Sequence, residues 1–124
     1  MTVKVVDASA LAALLFGEPE AEAVEARLRE AVLVAPRLIE YELGNICWKK
    51  CRRHPELSSA LQESFGLLPR LSLQLHDVAA AGVLNLAQTQ AITYYDASYL
   101  WLARQLQVEL VSLDARLNAA MEAR

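Results

Sequence analysis

No apolar run in this chain approaches the roughly 18 residues that a membrane-spanning helix requires, although 55% of its residues are hydrophobic. The opening residues, Met1-Thr2-Val3-Lys4, lack the charged and apolar regions of a signal peptide. A soluble cytoplasmic protein with no membrane partner is expected. Net positive charge is also missing. The balance is −3, so no global basic field exists to hold nucleic acid, and a binder that works by charge alone is disfavoured. An enzyme with a local basic patch, and a metal to offset its own acids, is not excluded. Cysteine is scarce: Cys47 and Cys51 stand four apart in an expected helix. Buried thiols are favoured over a disulfide or a metal pair, because a cytosolic chain is kept reduced. His54 lies three residues beyond Cys51, but a Cys-Cys-His zinc site lacks a fourth nearby ligand. Internal repeats, low-complexity stretches and linkers are absent too, and 124 residues is the usual size of one domain.

What is present is an alternation of strands and helices. Thr2 to Asp7 reads as a short buried strand, rich in β-branched Val3, Val5 and Val6. Ala8 to Phe16 suits a helix packed on a sheet. Gly17-Glu18-Pro19 breaks it, and Pro19 opens a second helix through about Glu30, with Ala21, Val24 and Leu28 on one face. Ala31 to Ala35 reads as a second buried strand. Pro36 ends it and begins a helix to about Arg53, where His54-Pro55 interrupts, since a residue before proline avoids helical dihedrals. An amphipathic helix over about Glu56 to Leu68 stops at Pro69. Leu71 to Leu75 alternates as a short strand does. Asp77, as N-cap, starts a helix to about Gln88. Ala91 to Tyr95 is a connector. Asp96 to about Gln107 is helical, Val108 to Leu113 a strand, and Asp114 to the end a helix. This pattern predicts an α/β domain: a parallel sheet of four or five short strands with helices on both faces. Sites in such sheets form outside the carboxyl ends of the strands. Asp7 and Asp114 each fall just after a strand and before a helix, which places both at that edge.

Each acid has an ordinary explanation. Asp7 and Asp114 can cap the helices that follow them. Asp96 can close a Thr93-x-x-Asp96 capping box. Glu42 can be a solvated helix residue. Together they read differently. Glu42 neighbours Leu38, Ile39 and Ile46 at helical spacing, and so leans toward the core side. Glu40, three residues from Arg37, can pair with it at the surface. Asp96 shares a face with Tyr99, Leu100 and Ala103. An acid on an apolar face needs a partner, because burying an unpaired charge costs several kcal/mol or more, and no basic residue directly flanks Asp7, Asp96 or Glu42. A divalent cation is one partner that serves several carboxylates, and oxygen ligands suit Mg²⁺ or Mn²⁺ rather than zinc.

The four positions resemble the acidic positions of the PIN-domain family, and the chain most resembles its VapC-type toxins. Val5-Val6-Asp7-Ala8-Ser9 is similar to the family's opening hydrophobic-Asp-x-Ser. In Pro36-Arg37-Leu38-Ile39-Glu40-Tyr41-Glu42-Leu43-Gly44-Asn45 an acid is followed three residues later by Asn, a spacing that selects Glu42 over Glu40. Tyr95-Asp96-Ala97-Ser98-Tyr99 is close to the family's Tyr-Asp-Ala-x-Tyr. Leu110 to Asp114 is similar to its strand ending in Thr-x-Asp, with Ser112 keeping the hydroxyl of the commoner Thr. The motifs span essentially residues 1–124 in the family's order. The resemblance implies one PIN domain. It further implies an Mg²⁺- or Mn²⁺-dependent endoribonuclease, restrained by a cognate antitoxin protein and commonly a homodimer.

Under that resemblance, Asp7, Asp96 and Asp114 are expected as direct or water-mediated metal ligands. Glu42 is expected to hold a second metal or to position the attacking water. Ser9 and Ser112 are expected to steady the carboxylates by hydrogen bonds. Lys49, Lys50, Arg52 and Arg53 form the densest basic cluster. It is either a dipole-favoured helix end or an RNA phosphate contact. Arg37, Arg104 and Arg116 are further candidates. Trp48 and Trp101 read as packing or interface residues rather than base platforms. Leu11 to Leu15 and the helix from Pro19 are the expected groove for an antitoxin segment. Three rival classes fit these residues less well. A receiver-like phosphoacceptor has paired acids after its first strand and a Lys after its last, where Asp7 stands alone and Asp114 replaces the Lys. A haloacid-dehalogenase-like phosphatase needs an acid at the position of Ser9. A non-catalytic PIN scaffold, acting only by protein–protein binding, is disfavoured by the intact set of four acids.

Overall fold

The computed structural model describes residues 2–123. In chain order its elements are β1 (Thr2–Val6), α1 (Ala8–Leu15), α2 (Ala21–Leu28), β2 (Ala31–Pro36) and α3 (Leu38–Arg53), then α4 (Ser58–Phe65), β3 (Gln74–His76), α5 (Ala80–Gln90), α6 (Tyr94–Leu106), β4 (Glu109–Val111) and α7 (Ala115–Glu122). Short 3₁₀ turns at Pro55–Leu57 and Leu68–Leu71 flank α4.

The four strands are all parallel, in the order β3-β2-β1-β4, with Val5 opposite both Val34 and Leu110. This is the expected α/β sheet, at four strands. Successive strand residues point to opposite faces. Val5 and Val6 are both fully buried, as are Leu110 and Val111, so helices cover both faces of the sheet. The chain steps outward from β1 through β2 to β3, then returns to place β4 on the other side of β1. Right-handed crossovers put α1 to α4 on one face and α5 and α6 on the other. The carboxyl ends of β1 and β4 therefore lie where the winding reverses, the position at which open α/β sheets form a crevice. Among the described residues, no helix is long and apolar enough to cross a membrane.

Several local expectations are corrected. The third strand runs over Gln74–His76, not Leu71–Leu75. Leu71 ends a 3₁₀ turn, and Ser72 takes a left-handed conformation (φ 53°) that delays the extended segment. Leu71 and Leu73 still pack against the core, which explains why the alternation reads one register early. Asp77 does not cap α5. Its carboxylate accepts from Arg37 Nε at 2.7 Å, and α5 starts at Ala80 with no side-chain cap. The same pair removes the expected Arg37–Glu40 contact. The helix expected over Glu56 to Leu68 is α4 alone between its two 3₁₀ turns, and the last strand is trimmed to Glu109–Val111.

The helix α6 carries Asp96, and α5 packs along it. Gly82 of α5 makes this approach possible. A Cβ there would lie 2.7 Å from Trp101 Nε1. Gly82→Ala gains about 1 kcal/mol of helix propensity, against an overpacking cost of about 1–3 kcal/mol. Urea denaturation should show a net loss of stability on the order of 1 kcal/mol. In a Trp48→Phe background, the emission of Trp101 should shift with it; unchanged emission and a more stable variant is the contrary result.

Candidate active site

The site is built around the end of β1. Asp7 leaves the strand in an extended conformation and caps α1, its Oδ1 accepting from the Ala10 N–H at 3.0 Å. Ser9 Oγ donates to the same oxygen at 2.8 Å, and Ser112 Oγ donates to Oδ2 at 2.6 Å. The Asp7 N–H donates to the Val111 carbonyl at 3.1 Å, which ties this corner to β4. Each serine then accepts in turn. Ser112 Oγ takes the Asp114 N–H at 2.9 Å, and Ser9 Oγ takes the Leu113 N–H at 3.0 Å. The hydroxyls thus link the Asp7 carboxylate to the turn that carries Asp114. Asn118 closes that turn by donating to the Ser112 carbonyl at 3.0 Å. Asp114 itself caps α7, with Oδ1 accepting from the Leu117 N–H at 2.9 Å.

Two helices bring the remaining acids. Asp96 lies in the first turn of α6, where Thr93 Oγ1 accepts its N–H at 3.0 Å. Glu42, half-buried on α3, accepts a hydrogen bond from the hydroxyl of Tyr99, a fully buried side chain of α6. All four acids stand within electrostatic reach of one another in a closed ring: Asp114 acts on Asp7, Asp7 on Glu42, Asp96 on Glu42, and Asp114 on Asp96. The structure therefore brings together all four sequence-predicted positions, and each ordinary capping role for Asp7 and Asp114 also holds.

The electrostatics show a site short of positive charge. Burial raises the Asp7 carboxyl above its ordinary range, and Asp114 adds to this, against the opposing pull of Ser112, Ala10 and Ser9. Burial likewise raises Glu42, opposed by the Tyr99 hydrogen bond and reinforced by Asp96 and Asp7. Asp96 is raised by burial and by Asp114, with Thr93 and Arg116 pulling the other way. Burial and then Glu42 push the Tyr99 phenol far up, so it remains a protonated donor. Arg116 is the one cation among the influences on these carboxylates.

A divalent ion fits this donor set. The groups are hard oxygens throughout. Asp7 already accepts three hydrogen bonds of the roughly four that a carboxylate offers, which leaves a lone pair for an ion. Among the described residues, no three acidic, histidine or cysteine side chains gather tightly enough to enclose an ion directly. A cation held here would need water to complete its coordination.

The basic candidates divide. Lys49, Lys50 and Arg53 line a groove of about 410 Å³ whose other wall includes Ser9 and Leu113, next to Asp7. Lys50 also pairs with Glu18 at 3.3 Å and lies over the Phe16 ring. Arg52 is outside this groove and stacks on Trp48 at 5.1 Å. Arg37 is paired with Asp77. Arg104 is directed away from the acids, donating to the carbonyls of Ala120 and Ala123. Trp101 packs against the core beside Gly82, while Trp48 is exposed. Cys47 and Cys51 are free thiols that donate to the carbonyls of Leu61 and Ser58. Three residues of the site escaped the sequence reading as functional groups: Tyr99, Asn118 and Asn45, which lines a second cavity with Glu42. Tyr99 carried a signal, since it sits three residues after Asp96 on the same helix face.

The PIN domain family profile matches residues 4–122. The chain is similar to Ribonuclease VapC3 of Pyrobaculum aerophilum, at 34% identity over 118 residues, covering 91% of this chain and 90% of that protein. Its fold is similar to the crystal structure of PAE2754 from Pyrobaculum aerophilum, with a TM-score of 0.80 and 30% identity over 98% of this chain and 86% of the other. It is also similar to VapC20 of Mycobacterium tuberculosis, a sarcin–ricin loop cleaving toxin, with a TM-score of 0.66 over 94% of both chains; at 17% identity that likeness concerns the fold alone.

The raised carboxylates make a stability prediction for the metal-free protein. A carboxyl raised in the folded state binds more protons there than in the unfolded chain. Its contribution is favourable below the unfolded value and is lost as pH rises through the folded one. Asp7→Asn keeps the N-cap and removes the charge. In EDTA its melting temperature should exceed that of the wild type by a few degrees near neutral pH, and the gap should close as pH falls below the unfolded aspartate value of about 3.9. A variant that melts lower than wild type at neutral pH contradicts this account.

Proposed function

This chain belongs to the PIN-domain family, and from that premise we propose that it is an endoribonuclease dependent on Mg²⁺ or Mn²⁺, the toxin of a toxin–antitoxin pair. The observation that carries the reading is the ring of four carboxylates around Asp7, with three of them held above their ordinary pKa by burial and mutual repulsion. A nuclease is the coarse conclusion, supported by the likeness to Ribonuclease VapC3 over most of both chains. The choice of metal, a homodimeric assembly, an antitoxin partner and a cytoplasmic setting are finer parts of the same proposal.

Asp7, Asp96 and Asp114 would hold the cation, directly or through water, and Glu42 would either hold a second or orient the attacking water. A cation so bound compensates the phosphodiester charge and makes water more acidic. The chain's own groups do the rest. Ser9 and Ser112 fix the Asp7 carboxylate plane by donating to both its oxygens. Tyr99 holds one oxygen of Glu42, leaving the other to accept a proton from water. As one proton of the water passes to Glu42, its oxygen attacks phosphorus in line with the leaving 3′ oxygen; the P–O3′ bond breaks and O3′ takes a proton from solvent. The products are a 5′ phosphate and a 3′ hydroxyl. Lys49, Lys50 and Arg53 line the groove that abuts Ser9, and RNA phosphates would run along it. Arg116, in reach of Asp96, is a second phosphate contact. Leu11, Ala12 and Ala13 are buried in the core, so the expected antitoxin groove narrows to Leu14, Leu15 and the helix after Pro19, beside the same groove.

Purified protein incubated with RNA should cleave it in Mg²⁺ or Mn²⁺ and not in EDTA. Groups that orient metal ligands are worth about 10- to 100-fold, so Ser112→Ala should fall in that range and Ser112→Thr should stay active. Asp7→Asn should lose more than about a hundredfold while keeping its circular dichroism spectrum. RNA ends bearing a 2′,3′-cyclic phosphate, or no cleavage by the wild type with either metal, would overturn the proposal.

A further inference from the structure

Two exposed tyrosines stand where the acids do not explain them. Tyr41 is 81% exposed and Tyr95 is 61% exposed, yet both come from well-formed helices, α3 and α6. Each immediately precedes a site acid: Tyr41-Glu42 and Tyr95-Asp96. Neighbours on a helix are turned by about 100°. When the acid faces inward, the residue before it stands at the rim. The two rims meet. Leu38, Tyr41, Glu42, Asn45 and Tyr95 line one cavity of about 560 Å³, within the range of small-ligand sites.

We propose that this cavity takes one unpaired base of single-stranded RNA, stacked against Tyr41 and Tyr95, with Asn45 facing its hydrogen-bonding edge. The inference rests on the ribonuclease reading and deepens it, because Glu42 belongs both to this cavity and to the carboxylate ring. Charge selects the part of RNA that enters. Lysine and arginine are absent from the lining, and Glu42 is in it, so phosphate is repelled while an uncharged heterocycle is not. Phosphates have the separate groove in which Lys49, Lys50 and Arg53 outnumber Glu18 and Glu20. Aromatic rings accept any base face, and stacking of this kind is tolerant of sequence. Asn45 supplies both a donor and an acceptor, and so discriminates among bases. The tyrosines sit on helices rather than loops, and little conformational freedom is lost when a base stacks on them. A base paired within a duplex is already stacked on its neighbours, so the cavity also selects loops and single strands. Tyr41, Tyr95 and Asn45 are thus positioning and specificity residues for the site, not catalytic ones.

Binding tests this apart from catalysis. The probes are fluorescein-labelled 8-nucleotide oligoadenylate, oligouridylate and an abasic ribose-phosphate oligomer of equal length, measured by anisotropy in an Asp7→Asn background with Mg²⁺. Loss of one stacking ring is worth roughly 5- to 150-fold in affinity. Tyr41→Ala and Tyr95→Ala should each weaken oligoadenylate binding on that scale, while Tyr41→Phe and Tyr95→Phe retain it. The abasic oligomer should bind weakly, and equally to all of them. Lys49→Ala should weaken all three probes alike. Asn45→Ala should alter the ratio of oligoadenylate to oligouridylate affinity. The inference is overturned if the alanine variants bind oligoadenylate as the parent does, or lose abasic and base-bearing probes equally. It is also overturned if sedimentation shows that the tyrosines set the assembly state and leave RNA affinity intact, for the face is then a contact between copies of the chain. A wild type that cleaves no RNA, with tyrosine-dependent base binding preserved, would remove the nuclease reading and leave the base pocket standing.

Discussion

One buried carboxylate organises the functional half of this molecule. Asp7 ends the central strand, caps α1, and receives hydroxyl donors from Ser9 and Ser112. Those hydroxyls accept the amides of Leu113 and Asp114, so the turn after β4 is registered against the turn after β1 through the Asp7 carboxylate. The arrangement has a cost. A charge taken from water into a nearly dry corner is expensive unless it is fully compensated, and three neutral donors do not fully compensate it: the carboxyl remains raised. The same residue therefore fixes the geometry and leaves unbalanced negative charge in it. A cation bound there would relieve that imbalance.

Much of the fold was legible because its signals are local. Val3, Val5 and Val6 in a run, the breaks at Gly17-Glu18-Pro19 and His54-Pro55, and the acids after strands required no knowledge of packing. The winding of a parallel sheet then placed Asp7 and Asp114 at one edge. The misreadings share a different cause. Asp77 has the look of a helix cap, but its carboxylate is taken by Arg37, 40 residues away. The alternation at Leu71 to Leu75 continues through a left-handed Ser72 that spacing does not reveal. The basic run from Lys49 to Arg53 divides by helical angle and by neighbours, with Arg52 on Trp48 and the other three on the groove. In each case a long-range partner decided between two local possibilities.

Glu42 and Asp96 fall between these cases. Their helical spacing marked them as facing inward, and the family motif selected them, but neither showed what holds them there. The answer is Tyr99. Its hydroxyl reaches Glu42 from α6, and its ring belongs to the buried core. A buried tyrosine needs a partner for its hydroxyl; a half-buried glutamate needs a donor. Each satisfies the other, and α3 and α6 are locked in a relative position that brings Glu42 and Asp96 into reach of each other. That pairing joins residues 57 apart in the chain; the spacing of Tyr99 after Asp96 shows that it faces inward but not which group its hydroxyl meets.

The charge distribution also explains how a chain of net charge −3 can work on a polyanion. Four of its acids are gathered at the sheet edge, with Arg116 in reach of Asp96, and further cations lie along one flank, at Lys49, Lys50 and Arg53. Near the centre a phosphodiester meets repulsion until a cation intervenes. Attraction from the basic flank is short-ranged at physiological salt, where screening acts within about 8 Å. A substrate held only by that flank would be placed along the groove but not in register with the acids. Contacts beyond charge must supply the register. On this surface the aromatic rims beside Glu42 and Asp96 are in position to do so, because the helices that aim the acids inward also aim Tyr41 and Tyr95 at the approach to them.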